Sequence, residues 1–425
     1  MKRYEKYKDS GISWIGEIPE HWKVKSLRNF LSLVSIKGHG DKQLLSVTRE
    51  NGVIVRDIES KEENHNFIPD DLSGYKLVKE GQFVINKMKS WQGSYGVSKY
   101  TGIVSPAYYV CDLRFHNKDF FSLAIRSKAY VPFFTQYSKG IRVDQWDLST
   151  NALKSIPFVV PNAEEQKEIV DYIIQKSADI DRYIEIKQKE INALDELKQS
   201  IIAETVTKGL DKNVAMKDSD IAWIGKVPEH WKIKRSAMLF QENKKKNSTL
   251  EYERAMKFNY GTLVDKNETG ELKELEDTYK NYTILDKNDI VINCLNLNYD
   301  FVSQRVAISP KRSIITSAYL VLRPRKNTNA HYYNYLLKAM DSMKLFHGMG
   351  TGIRLTLSFD EFKKQLLPIP PLSEQEVIVA YINSKCEKID KMKSSIESQI
   401  TALKEYKQRL ISDVVTGKRK VTSEN

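Results

Sequence analysis

One tract of this chain occurs twice. Residues 8–25 read KDSGISWIGEIPEHWKVK and residues 217–234 read KDSDIAWIGKVPEHWKIK; 13 of the 18 positions match without a gap, at an offset of 209 residues. The same offset returns where EEQKEIVDYIIQKSADID (164–181) aligns with SEQEVIVAYINSKCEKID (373–390). It runs on behind them, placing Lys198 on Lys407 and Val206 and Thr207 on Val415 and Thr416. Between those ends the copies diverge, keeping only a skeleton such as EGQFVIN (80–86) against KNDIVIN (287–293), and GIR at 140–142 and 352–354. Identical domains would suit a symmetric target. A shared frame with different filling suits a protein that reads two different things through one geometry.

Size agrees with duplication, because 425 residues exceed what a single core supports while half that length still buries one. The formal charge of +12 and pI of about 9.2 favour a polyanionic partner, either nucleic acid or an anionic membrane surface. Cys111, Cys294 and Cys386 are scattered, without a CxxC or a Cys/His cluster, which argues against a disulfide framework and a zinc site. The basic start MKRYEKYK is not followed by an apolar stretch, and no window approaches 18 consecutive apolar residues. The expectation is a soluble cytoplasmic protein with no membrane span.

Each copy carries short β-rich runs broken by Gly and Asn: LLSVTRENGVIV, GQFVINKM and GIVSPAYYVCDL in the first, MKFNYGTLV, DIVINCL and SIITSAYLVLRP in the second. DFFSLAIRSKAYVPFFTQY (119–137) reads as a helix as far as Pro132, and HYYNYLLKAMDSMKLF (331–346) as its counterpart. Each copy closes on a proline-ended strand, KSIPFVVP or LLPIPP. The first closing segment, IPFVVPNAEEQ, reads as two residues longer than LPIPPLSEQ, which would set its joint differently.

After each closing proline comes a long helical pattern, 164–207 and 373–416, free of Pro and internal Gly. Ile173, Ile180, Ile184, Ile191, Leu194 and Ile201 form the stripe of a coiled coil. The second copy places Ile382, Ile389, Ile400, Leu403 and Leu410 on it, with Lys393 the one break. Forty-odd residues at about 1.5 Å each make a rod of roughly 65 Å, which needs a partner. Antiparallel pairing about a pseudo-twofold axis would hold the domains at opposite ends. The expected fold is α+β: two pseudo-symmetric mixed α/β domains, 1–160 and 211–371, joined by helical spacers 161–210 and 372–425 that form an antiparallel coiled coil.

Catalytic signatures are missing. The sequence has no GxxxxGK[ST] phosphate loop, no HExxH and no [DNS]PP[YFW] tetrapeptide. The glycines of HGMGTGIR fail the strand-turn-helix context of a nucleotide fingerprint. No catalytic residue, metal ligand or cofactor is assigned to this chain.

IPEHW (18–22), VPEHW (227–231), IPFVVPNAEEQKEI (156–169) and LPIPPLSEQEVI (367–378), in this order and at one offset, resemble the specificity subunit of Type I restriction-modification enzymes over the whole chain. The resemblance implies a non-catalytic DNA reader. Each recognition domain would bind one half of a split, asymmetric double-stranded sequence, with the helices as spacer and ruler. Two modification (methyltransferase) subunits would dock on the outer faces of the helices and methylate an adenine in each half-site, and restriction subunits would translocate and cut. S-adenosylmethionine, ATP and Mg²⁺ then belong to those partners. Flipping the target base out of the duplex is also theirs.

Candidate DNA contacts follow from divergence. Lys87, Lys89, Trp91 and Gln92 lie in KMKSWQGSYG, and the counterpart CLNLNYDFVSQR holds Asn296, Asn298, Gln304 and Arg305. Lys and Arg there would reach phosphates or guanine edges, and Asn and Gln adenine edges; solvated hairpin loops are the alternative. Arg142 and Arg354 follow matching glycines, as a shared phosphate contact or an internal salt bridge. The runs KGHGDK, with Lys37 and Lys42, and NKKKN, with Lys244 and Lys245, either track the DNA backbone or are solvated faces. Trp14, Trp22, Trp223 and Trp231, duplicated in the frame, are expected to pack. A scaffold whose basic domains bind acidic proteins is the competing reading, and only sequence preference in binding separates the two.

Overall fold

The computed structural model describes residues 3–57, 68–140, 146–266, 272–352 and 355–421. The chain divides into two units, Met1–Lys187 with Ser398–Asn425, and Gln188–Glu397. In the first unit a four-stranded antiparallel sheet runs in the order Leu31–Val34, Tyr109–Leu113, Phe83–Ile85, Tyr95–Val97. The second unit repeats that order with Phe240–Glu242, Leu320–Pro324, Ile290–Ile292 and Val306–Ile308.

The short strands hold because both of their faces are covered. Alternation at period two sends Phe83, Ile85, Cys111 and Leu113 into a main core with Phe120 and Phe121, and Val84 and Val110 into a smaller one with Leu45, Val47 and Val53. In the second unit Ile290, Ile292, Leu320 and Leu322 enter the main core, while Val291 and Val321 meet Met256, Leu263 and Ile315. The run 119–137 is two helices, Lys118–Ile125 and Val131–Tyr137. Pro132 starts the second instead of ending the first, since a first-turn residue has no helical N–H bond to lose.

The closing strands pair with the opening ones in identical fashion, Pro157–Val160 on Lys23–Ser26 and Leu366–Ile369 on Lys232–Arg235. The two extra residues expected in the first closing segment are therefore not there. Both segments span the same distance to their helices, and the misreading came from aligning unlike prolines.

The joint itself is built twice from the same atoms. Trp22 is buried and its Nε1 donates to Glu165 Oε2 at 3.0 Å, while His21 Nε2 lies 2.8 Å from that oxygen. Trp231 donates to Glu374 Oε2 at 3.0 Å, with His230 Nε2 at 2.8 Å. The next residue of each helix, Gln166 or Gln375, donates to the carbonyl of Pro161 at 3.0 Å or Pro370 at 2.9 Å. Trp22 and Trp231 pack, as their duplication suggested. Trp14, more exposed, lies against Phe133 and donates to the Ala129 carbonyl, and Trp223 packs against the second core.

The long helices are Ala163–Lys208 and Leu372–Val415. In the first unit the start of one (Ile169, Ile173, Ile180) and the end of the other (Leu410, Val414) share the domain core. In the second unit Val206 shares its core with Ile378 and Ile382. Pairing is antiparallel within each unit. Lys407 meets Asp181 at 2.7 Å in the first, and Lys198 meets Asp390 at 2.7 Å and Lys393 meets Asp195 at 2.6 Å in the second. The stripe faces inward: Ile173, Ile180, Ile191, Ile382, Ile389, Ile400 and Leu410 are buried, and Ile184, Leu194, Ile201 and Leu403 half-buried. Lys393, the break in the stripe, is explained by Asp195. Among the described residues no helix is long and apolar enough to cross a membrane.

A hydrogen bond from a buried donor to a charged acceptor contributes about 1.5–3 kcal/mol. Glu165→Ala is therefore expected to speed amide exchange in peptides 18–26 and 157–170 while leaving 227–235 and 366–379 unchanged. Glu374→Ala should do the converse. Either substitution loosening both joints alike would show that the anchors are not independent.

Candidate nucleic-acid interface

In the first domain the loop behind strand Phe83–Ile85 is compact. It contains a 3-10 turn at Ser90–Gln92, closed by Gly93 in the left-handed region at φ 97°. Lys87 Nζ bonds Asp147 at 2.9 Å, and this hydrogen bond pushes the ammonium above its usual pKa. The Trp91 ring meets Trp146 edge-on at 5.5 Å. Lys89 is exposed on the same loop.

Lys37 is exposed, and it contributes with Lys87 to the field at Lys76, whose pKa is lowered first by burial and then by these two neighbours. Lys37, Lys76 and Lys87 thus form one positive neighbourhood. Lys42 is exposed beside Asp41, its partner at 3.0 Å. Gln92 lines a cleft with Arg49, Arg126 and Lys128. Arg126 is fixed by its bonds to the carbonyls of Tyr95, Arg49 and Glu50. Lys76, Arg49, Arg126 and Lys128 were missed from sequence; they sit outside the loop that divergence singled out.

In the second domain Asn243 and Asn247, the ends of NKKKN, are buried and bonded to Ile284 and Tyr252 carbonyls. That leaves Lys244 and Lys245 exposed, Lys244 paired with Glu242 at 2.8 Å. Asn296 is exposed with φ 51°, and Asn298 is half-buried.

Two expected contacts are corrected. Arg305 is only 1% exposed; its guanidinium donates to the carbonyls of Leu295 at 2.8 Å, Asp300 at 2.9 Å, Asn293 at 3.1 Å and Asn296 at 3.4 Å. It organises the loop from inside and does not reach DNA. Gln304 donates its amide to Asp341 at 2.5 Å, so it is not offered to an adenine edge. Asp341 is wholly buried, which raises its carboxyl pKa, and its Oδ2 also accepts from Arg305 N at 2.6 Å. Arg142 and Arg354 lie outside the described residues.

The cysteines are buried and unpaired, and burial pushes the Cys111 thiol up to about 12. Among the described residues no three His, Cys, Asp or Glu side chains gather as a metal site.

Comparison with known proteins agrees with this arrangement. The Type I restriction modification DNA specificity domain matches residues 228–402. The "Putative type I restriction enzyme MjaX specificity subunit" of Methanocaldococcus jannaschii is 21% identical over 96% of this chain and 96% of its own length. A chain from work on complex assembly and conformational transition of the type I R-M system shares the fold at TM-score 0.63 and 13% identity, over 94% of this chain and 98% of that one. The HsdS subunit from Thermoanaerobacter tengcongensis is also 13% identical, over 95% and 98% of the two chains, at TM-score 0.48. Two copies of one frame, closed by the same Trp–Glu joint, with a Type I restriction modification DNA specificity domain matched over residues 228–402, make this chain similar to the specificity subunits of Type I restriction-modification systems.

Proposed function

We propose that each α/β domain reads one half of a split, asymmetric DNA site and that the paired helices set the gap between the halves. One observation carries this reading: the loops behind corresponding strands of two equal sheets differ in length and chemistry. The loop is Asn86–Ser94 in one and Asn293–Arg305 in the other. Lys37, Lys76 and Lys87 supply phosphate contacts in the first domain, Lys244 and Lys245 in the second. Lys89, Trp91, Gln92, Asn296 and Asn298 remain the candidates for base contacts.

The helices also present two equivalent apolar patches. Tyr183 and Tyr406 are exposed in the first unit beside a groove lined by Tyr172 and Ile186. Shifted by the repeat, these positions hold Met392 and Leu197, also exposed, in the second. A patch built twice suits two copies of one partner, and the family makes that partner a methyltransferase subunit using S-adenosylmethionine. ATP and Mg²⁺ belong to restriction subunits. Tyr183→Asp with Tyr406→Asp is expected to remove one methyltransferase subunit, and Leu197→Asp with Met392→Asp the other, as read by native mass spectrometry. Loss of neither would place docking elsewhere.

Co-expression with the methyltransferase subunit and base-resolution mapping of methyladenine should give one split motif, with one modified adenine on each strand. A soluble complex that methylates nothing would refute the DNA-reading function. Inserting one heptad after Leu194 and another after Leu403 is expected to widen the gap in that motif and leave both halves unchanged. An unchanged gap would remove the ruler.

A further inference from the structure

The second domain's loop is built against expectation: its arginine points inward, while Tyr299, Phe301 and Val302 are exposed. Four of its carbonyls converge on the buried Arg305 guanidinium. Leu297 is fully buried, and its N–H donates to the Leu355 carbonyl at 3.2 Å. The carboxylate of Asp300 accepts from the N–H groups of Val302 and Ser303, and His347 Nε2 lies 3.1 Å from the Asp300 carbonyl. The backbone is thus pinned from inside. Yet Val302 is 92% exposed and Tyr299 78%, and the ring of Phe301 stacks on His347 at 4.6 Å.

The neighbouring hairpin does the same. Its tip, Tyr260, is 86% exposed. The next residue, Gly261, is held by Lys338 Nζ on its carbonyl at 2.8 Å and lies so close to Gln304 that a Cβ would come within 2.6 Å of its Cγ. A soluble surface gains nothing from a rigid frame that thrusts tyrosine and valine into water. The frame lies within the matched DNA specificity domain of a chain of net charge +12, so the occupant with complementary charge is duplex DNA. Apolar side chains held rigidly beside DNA act as wedges between base steps, and aromatic rings there stack on bases.

We infer that the loop Asn296–Val302 is an apolar wedge that places Tyr299 and Val302 between neighbouring base pairs of the half-site read by the second domain. The inference rests on the DNA-reading function proposed above and adds an asymmetry to it. The corresponding loop of the first domain turns at Gly93, and its most exposed apolar side chain is the flexible Met88. The second half-site is then read partly through the ease of unstacking one step, whereas the first is read without insertion.

The test uses the full chain in complex with its methyltransferase subunits, on a duplex carrying the mapped motif. 2-Aminopurine is placed step by step in each half, away from the methylated adenines. Binding is expected to raise its fluorescence at one step of the second half-site and nowhere in the first. Tyr299→Ala with Val302→Ala, both on the surface, should abolish that rise and weaken binding roughly tenfold or more, whereas Tyr299→Phe retains it. The salt dependence should not change, because no phosphate contact is removed. A wild-type complex that prefers its motif while the double variant matches it in fluorescence and affinity overturns the wedge alone. A wild-type complex without preference for any duplex refutes the DNA-reading function and the wedge with it.

Discussion

An indole N–H bonded to a carboxylate in the first turn of a long helix is the interaction on which each unit depends. Glu165 and Glu374 stand where the unpaired N–H groups of the helix favour negative charge. Each then serves a tryptophan whose N–H would otherwise be buried without a partner, at a cost of about 1–3 kcal/mol. The ring serves a second helix end as well. Gly417 follows the second long helix at φ 75°, and a Cβ there would fall 2.9 Å from Trp22 Cζ3 and 2.3 Å from Pro19 Cδ. Gly209 follows the first at φ 73°, where a Cβ would lie 3.3 Å from Trp231 Cζ2. One side chain thereby fixes the start of one helix and the end of the other to its domain. Glycine is required at both places for its left-handed backbone and for its missing Cβ.

With the joint fixed, the sheets are free to differ. Gln82 donates to Asp112 at 2.7 Å in the first sheet; the positions that correspond to them hold Asp289 and Arg323, paired at 2.8 Å in the second. Donor and acceptor have exchanged strands, and the strand order is unchanged. Alternating apolar residues on two covered faces hold such a sheet, and that pattern tolerates almost any choice of polar pair at its margin. Loop length is equally free, because each loop is pinned locally: by Lys87–Asp147 in the first domain and by Arg305 in the second.

How much of this was legible follows from the period of each signal. The long helices declared themselves, because their stripe repeats over many turns. The sheets were readable as short apolar runs, but their order was not, since three-residue strands carry no pairing information. Glu165 and Glu374 were visible as repeated letters without a role; both lie 144 residues beyond a repeated histidine, a signal that was present and unused. Arg305 misled for a physical reason. An arginine in a divergent loop suits an outward phosphate contact and an inward carbonyl cluster equally, and only burial separates them. The cleft residues Arg49 and Arg126 come from separate segments and meet only in the fold.

The ion pairs between the helices do different work from the isoleucines. Side chains as exposed as these gain about 0–1 kcal/mol from pairing, so Lys198–Asp390 and Lys407–Asp181 add little stability. They do discriminate between registers. An isoleucine stripe survives a slip of one heptad almost unchanged, whereas the same slip would set Lys393 opposite Gln188 or Ile202 in place of Asp195. Lys407 would face Ile174 or Gln188 in place of Asp181. A half-buried ammonium against an apolar side chain loses its partner and part of its hydration together. Lys393 therefore weakens the stripe locally and, with its partner, specifies one alignment. If the helix pair sets the gap between half-sites, as proposed, it needs that more than it needs strength, because a slip of a single heptad shifts one helix along the other by about 10 Å.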